Sequence, residues 1–331
     1  MQFISERIRF ILYWLRYLNH FLYDHFRFVK YSNTEYEYIR DTNKLVAKII
    51  SLYHVIEKGL SIETPRLRFG LPRIKMLIKY IEIYSGRVDR DNWDIQVISS
   101  LKVLSEYSKF NRDRGADILL VDEFLSDYSD FLAVEHIEGG TKVLALDDFF
   151  LQEAPLFDSV VSLRSSVRNF GVGEVALADV HSAIALAQQS PSTCNRQSSR
   201  VLVTKDRTQI SKLLALQGGA NGFSEQINCL LVICSDLSCY QGPGDRTSGI
   251  IDGSLFGMSL LHAATRYNIA SIPLNWSKSY KDDIKLREMI KFPVSYTVLF
   301  FIGLGTFKNN VRVAHSTKNS TFEICMNIEP R

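Results

Sequence analysis

The chain has 331 residues, 46% hydrophobic and 23% charged. That balance supports a sizeable core in about two domains and excludes a disordered chain. The net charge of +3 is too small to argue for nucleic-acid binding over the whole surface. Five cysteines, an odd number with no Cys-x-x-Cys pair, argue against a disulfide framework or a metal site and for a reducing, cytoplasmic setting. Neither a membrane span nor a secretory signal is expected, because charges and histidines interrupt the apolar run Ile8–Phe28.

In residues 1–31, Phe3, Phe10, Ile11, Trp14, Leu15, Leu18, Phe21, Leu22 and Phe28 recur at roughly helical spacing. Arg7, Arg9, Arg16, Arg27 and Lys30 stand there against Glu6 and Asp24. The segment reads either as a basic amphipathic helix on a membrane surface or partner, or as a helix packed on its own domain. A helix capped by Asp41 or Thr42 should run to Lys58, with Gly59 as its C-cap. His54 and Glu57 share its face, as a hydrogen-bonded pair or as acid/base or metal ligands. Further helices are expected at 73–84, 93–110 and 118–132, then a linker over 136–155. The helical region with its linker would thus occupy residues 1–150, and a second domain residues 151–331.

That second domain mixes element types. Helices are expected from Val175 to about Ser190, and at 209–216, 252–267 and 282–290. Strands are expected at 200–204, 230–234 and 297–303, with Gly303-Leu-Gly305 as a closing turn and 271–276 as a loop or short strand. Arg164 and Arg168 bracket Ser165 and Ser166. On a helical turn the two guanidinium groups would share a face and offer planar donors to a phosphate or an electron-rich ring. A solvated basic turn is the plainer reading. Ser192 and Asn195 beside Pro191 fit either a turn cap or a ligand contact.

From about 160 to 320 the order of blocks resembles the flavin-dependent nitroreductase family. The blocks are Arg164-Ser-Ser-Val-Arg168-Asn-Phe170, Ser190-Pro-Ser-Thr-Cys-Asn195-Arg-Gln197, Asp252-Gly253, Pro273-Leu-Asn-Trp276, Gly303–Gly305 and Val313-Ala-His-Ser-Thr-Lys318. The resemblance implies an α+β nitroreductase-like FMN-binding fold, with a mostly antiparallel sheet between helices, after the helical N-terminal region. It also implies a homodimer with FMN at the subunit interface and NADH or NADPH (the NADP couple) as electron donor.

Carried to this chain, Arg164, Ser165, Ser166 and Arg168 would hold the phosphate, ribityl chain or pyrimidine edge. Ser192, Asn195 and Gln197 would approach the ring or ribityl group, Pro273, Leu274 and Asn275 would flank the ring, and Lys318 would bind the phosphate. The chemistry would be the flavin's, with no catalytic side chain required. Three positions depart from the family pattern: Ser165 replaces an arginine, Ser198-Ser199 replaces Pro-Trp, and Lys318 stands where arginine is common. The run His54–Ser61 resembles one in nitroreductase-like proteins encoded with bacterial polysaccharide-biosynthesis genes, implying a glycan-pathway redox role. A non-catalytic relative that binds a membrane-associated or glycan-assembly partner is the competing reading.

Overall fold

The structure is a computed structural model that describes residues 12, 15, 18, 21–32, 39–60, 65–135, 137, 139–141, 154–311, 313, 325 and 327–330, with the backbone alone for 58, 154–156 and 243. The expected core positions Phe3, Phe10, Ile11 and Trp14, most of the 136–155 linker and Lys318 lie outside the described residues. The protein is α+β, with a helical N-terminal region ahead of a four-stranded antiparallel sheet.

Residues 21–31 form helix α1. It docks on the C-terminal half: Tyr23 Oη donates to Asp283 Oδ2 (2.5 Å), and Arg27 donates to the carbonyls of Val294 (3.0 Å) and Tyr296 (2.6 Å). Phe21 and Phe26 remain exposed at 70% and 65%. Helices α2 (Thr42–Leu60), α3 (Leu71–Ser85), α4 (Ile95–Arg112), α5 (Leu119–Ser126) and α6 (Ser129–Leu132) follow. They enclose one core around Leu45, Ile49, Ile56, Ile74, Leu77 and Leu101.

Three expectations here need correction. Gly59 lies inside α2 and does not cap it; an added Cβ would sit 2.1 Å from the Phe69 ring, so the glycine admits a close approach. The helix expected from Trp93 begins at Ile95, because the Asp94 carboxylate accepts from Gln96 N. The helix expected over 118–132 is two, broken at Asp127 and Tyr128.

Helix α7 (Ala154–Leu163) begins where the linker was expected to end, with Pro155 in its first turn, where its missing N–H costs nothing. Then come α8 (Leu177–Ala187), strand β1 (Ser199–Thr204), α9 (Arg207–Gln217), β2 (Cys229–Asp236), α10 (Ser248–Arg266), β3 (Ile269–Asn275), α11 (Tyr280–Met289) and β4 (Tyr296–Thr306). The sheet order is β1-β2-β4-β3, every pair antiparallel.

Alternate residues of the buried strands feed two cores. Val232, Cys234, Ile272 and Phe301 pack with Ile210, Leu213 and Leu286 of α9 and α11. Leu231, Ile233 and Leu304 pack with Val180, Ala183, Phe256 and Leu260 of α8 and α10.

The segment 271–276, read as a loop or short strand, is strand as far as Asn275, because β4 pairs with it from Ile269 to Asn275. Gly303 and Gly305 stand inside β4 and form no closing turn; a Cβ on Gly305 would meet the Phe170 ring at 2.5 Å. Asp252-Gly253 lies one turn into α10, which opens at Ser248. Among the described residues no helix is long and apolar enough to cross a membrane.

Candidate functional site

The candidate residues fall into two groups on different elements. The first begins where α7 ends, at Leu163. The following segment is extended and forms no helical turn. Ser166 makes a parallel bridge to Ser271 of β3, and Val167 N donates to Ser271 O (3.0 Å). The expectation of one helical face is therefore corrected, although extended chain also places Arg164, Ser166 and Arg168 on one side by its period of two. Burial of Val167 (1% exposed) and Phe170 (2%) anchors the segment from beneath, and Phe170 N donates to Gln226 Oε1 (2.9 Å).

Along this segment the donors are open. Arg168 Nη1 reaches only the Ser166 carbonyl (3.3 Å), and among the described residues the Arg164 guanidinium and the Ser166 hydroxyl have no hydrogen-bond partner. His262 of α10 faces Arg164. Burial, then the arginine's charge, holds its imidazole below the usual histidine range, and its Nε2 is buried without a partner. On β3, Pro273 and Asn275 are exposed, while the Leu274 side chain is buried and leaves only its backbone toward a ligand. Asn275 Nδ2 donates to Ser277 Oγ (2.5 Å), and Trp276 stacks on Phe301 with centroids 5.0 Å apart. Two guanidinium groups and a hydroxyl with spare donors suit a phosphate or an electron-rich ring edge, so this donor set fits FMN.

The second group is the turn from Pro191 to Gln197. Cys194, Asn195 and Gln197 have φ values of 51°, 53° and 48°. Three non-glycine residues in the left-handed region within four positions store strain that neighbouring contacts must hold. Asp252 Oδ1 accepts from Thr193 N (3.0 Å) and Thr193 Oγ1 (2.9 Å), while Ser192 Oγ accepts from Gln197 N (2.9 Å).

Arg196, 5% exposed, runs beneath the turn. It donates to both oxygens of Asp245 (2.8 and 3.2 Å), to Cys239 O (3.1 Å) and to Thr193 O (3.1 Å). Burial opposes ionisation of Asp245, but its bonds from Arg196 and from Gln241 N outweigh that and hold the carboxyl below the usual range. Tyr240 joins this network to Asp252 Oδ2 (3.0 Å) and Ser198, and burial pushes its phenol far above the ordinary value.

The N-terminal helices close over this turn. Lys48 Nζ donates to Gln241 Oε1 (3.1 Å), and Gln241 Nε2 donates to Ser51 Oγ (3.1 Å). A cavity of about 400 Å³ lies between α2 and the turn, with Ile50, Ser192, Gln197, Arg200 and Phe256 in its wall. None of Arg164, Ser165, Ser166, Arg168, Pro273, Leu274 or Asn275 lines it. His54 Nδ1 and Glu57 Oε2 are 2.9 Å apart, and Glu57 Oε1 accepts from Gly140 N (3.3 Å).

Sequence reasoning missed Arg196, Asp245 and Tyr240. A basic residue between Asn195 and Gln197, and an acidic one in the Gly242-Pro-Gly-Asp245 loop, were signals for the ion pair.

No family model matches the chain, and no curated protein matches it. It is similar to solved structures. A nitroreductase-like protein from Streptococcus mutans is 18% identical, over 54% of this chain and 100% of that one, with a TM-score of 0.47. An FMN-dependent nitroreductase from Clostridium difficile is 18% identical over 51% and 98%, TM-score 0.44. A nitroreductase with bound FMN from Desulfitobacterium hafniense is 20% identical over 52% and 98%, TM-score 0.41.

Proposed function

We propose that the protein is an FMN-dependent oxidoreductase that takes hydride from NADH or NADPH and passes electrons to a second substrate. The observation that carries this reading is the set of open donors at Arg164, Ser166 and Arg168 beside Pro273. Bound FMN would supply the hydride chemistry. Arg164 and Ser166 would bind and orient it, and the fixed positive charge would favour an electron-rich, reduced ring.

Among the described residues, the cavity walled by Ser192 and Gln197 is not lined by these donors, and a homodimer would bring the two groups onto one flavin. Exposed Phe157 and Leu163 of α7, and Ile250, Ile251 and Leu255 of α10, support such a contact. A link to polysaccharide biosynthesis rests on the His54–Ser61 run alone.

A visible spectrum of the purified protein tests the proposal. A yellow protein that is bleached anaerobically by NADH or NADPH is expected. A colourless protein that takes up no added FMN overturns it.

A further inference from the structure

We infer that helix α1 docks the protein on an anionic lipid surface, with its apolar face toward the lipid and its polar face gripping the C-terminal half. This goes beyond the flavin reading and does not depend on it.

The helix sits the opposite way round from an ordinary surface helix, whose apolar stripe faces the core. Its grip on the protein is polar. Tyr23 donates to Asp283 and packs on the Tyr280 ring with centroids 5.7 Å apart. Arg27 lies 3.9 Å from the same carboxylate and donates to the carbonyls of Val294 and Tyr296. The apolar residues look away. Phe21, Leu22, Phe26 and Val29 are exposed, and so are Leu12, Leu15 and Leu18, which are helical as well. Among the described apolar residues of this stretch, Phe28 is half-buried. At about 100° per residue, the exposed residues fall on one half of a helix, and Tyr23 and Arg27 fall on the other.

The width of this face decides its occupant. A second copy of the helix would need a narrow seam, two residues per heptad, flanked by charges. Here the apolar face covers half the helix and includes the rings of Phe21 and Phe26, the form that suits the headgroup boundary of a bilayer. Among the described residues no helix is long and apolar enough to cross a membrane, so α1 would lie along the surface. Charge selects the lipid. Arg7, Arg9, Arg16, Arg27 and Lys30 outnumber Glu6 and Asp24 in this segment, and Lys30 is exposed at the edge of the apolar face. Anionic headgroups complement that excess.

The test is flotation of the full chain with phosphatidylcholine vesicles, with and without phosphatidylglycerol. Binding is expected only where phosphatidylglycerol is present, and high salt should weaken it. The double variant Phe21→Ser, Phe26→Ser should lower the partition coefficient at least about tenfold. Its melting temperature should be unchanged, because both rings are exposed. Lys30→Gln should lower partition roughly fivefold, the worth of one cation at a charged surface.

No flotation with the anionic vesicles overturns the inference. Equal binding to neutral vesicles does so too, as does a double variant that floats like wild type. A double variant that turns a dimer into a monomer by light scattering, with flotation unchanged, assigns the face to a second copy and removes the lipid.

Discussion

The two halves of the candidate site are prepared differently for a ligand. At Arg164–Arg168 the backbone is held by the bridge to Ser271 and by Phe170, while the polar side chains have spare donors. At Ser192–Gln197 a strained backbone is held by Asp252 and Arg196. The first half resembles a charged cradle whose binding energy goes to whatever enters. In the second, much of the hydrogen bonding is already committed to shape. A substitution in the first should change affinity and leave stability alone, and one in the second should do the reverse.

The largest expected effect breaks the second half. Arg196→Met leaves Asp245 and two carbonyls without their donor, and loss of one partner of a buried pair costs about 3–5 kcal/mol. Urea denaturation of the apoprotein checks it; a loss below about 1 kcal/mol would mean that the pair does not hold the turn. Arg164→Ala is next. It should weaken FMN binding by roughly 10–100-fold, the worth of a hydrogen bond to a charged group. The melting temperature should stay put, since no internal partner is lost. An unchanged dissociation constant would remove Arg164 from the site.

The smallest effect is acid sensitivity. Asp245 titrates lower in the folded protein than in the unfolded chain, so its contribution is complete above about pH 4 and is lost as pH falls through the folded value. Stability followed from pH 6 to pH 2 should decline less steeply in Asp245→Asn than in wild type. Parallel curves would show that the ion pair leaves Asp245 untouched.

Much of the fold was legible in the sequence because it is written locally. The apolar spacing of Ile74, Leu77, Ile78 and Ile81 places α3, and the buried run Leu230–Cys234 marks the central strand. The misread parts depend on distant partners. The segment 164–168 is extended because Ser271 pairs with it, and 271–275 is a strand because β4 lies alongside. In the candidate site, Arg164, Ser166 and Asn195 come from a motif, whereas Asp245 does not. Its contact with Arg196 spans 49 positions, which sequence patterning does not see. The turn itself lacks the glycines that usually announce left-handed backbone, so its strain was invisible.

The buried central strand has one practical consequence. Burial pushes the Cys229 thiol up to about 11 and those of Cys234 and Cys239 to about 12, which leaves them almost no reactive thiolate at neutral pH. Cys194 stands half-buried in the turn at φ 51°, and Cys325 is exposed. With Cys325 replaced by serine, a thiol-selective fluorophore would attach at a single place, inside the turn Ser192–Gln197. The chain carries its own labelling handle on that turn.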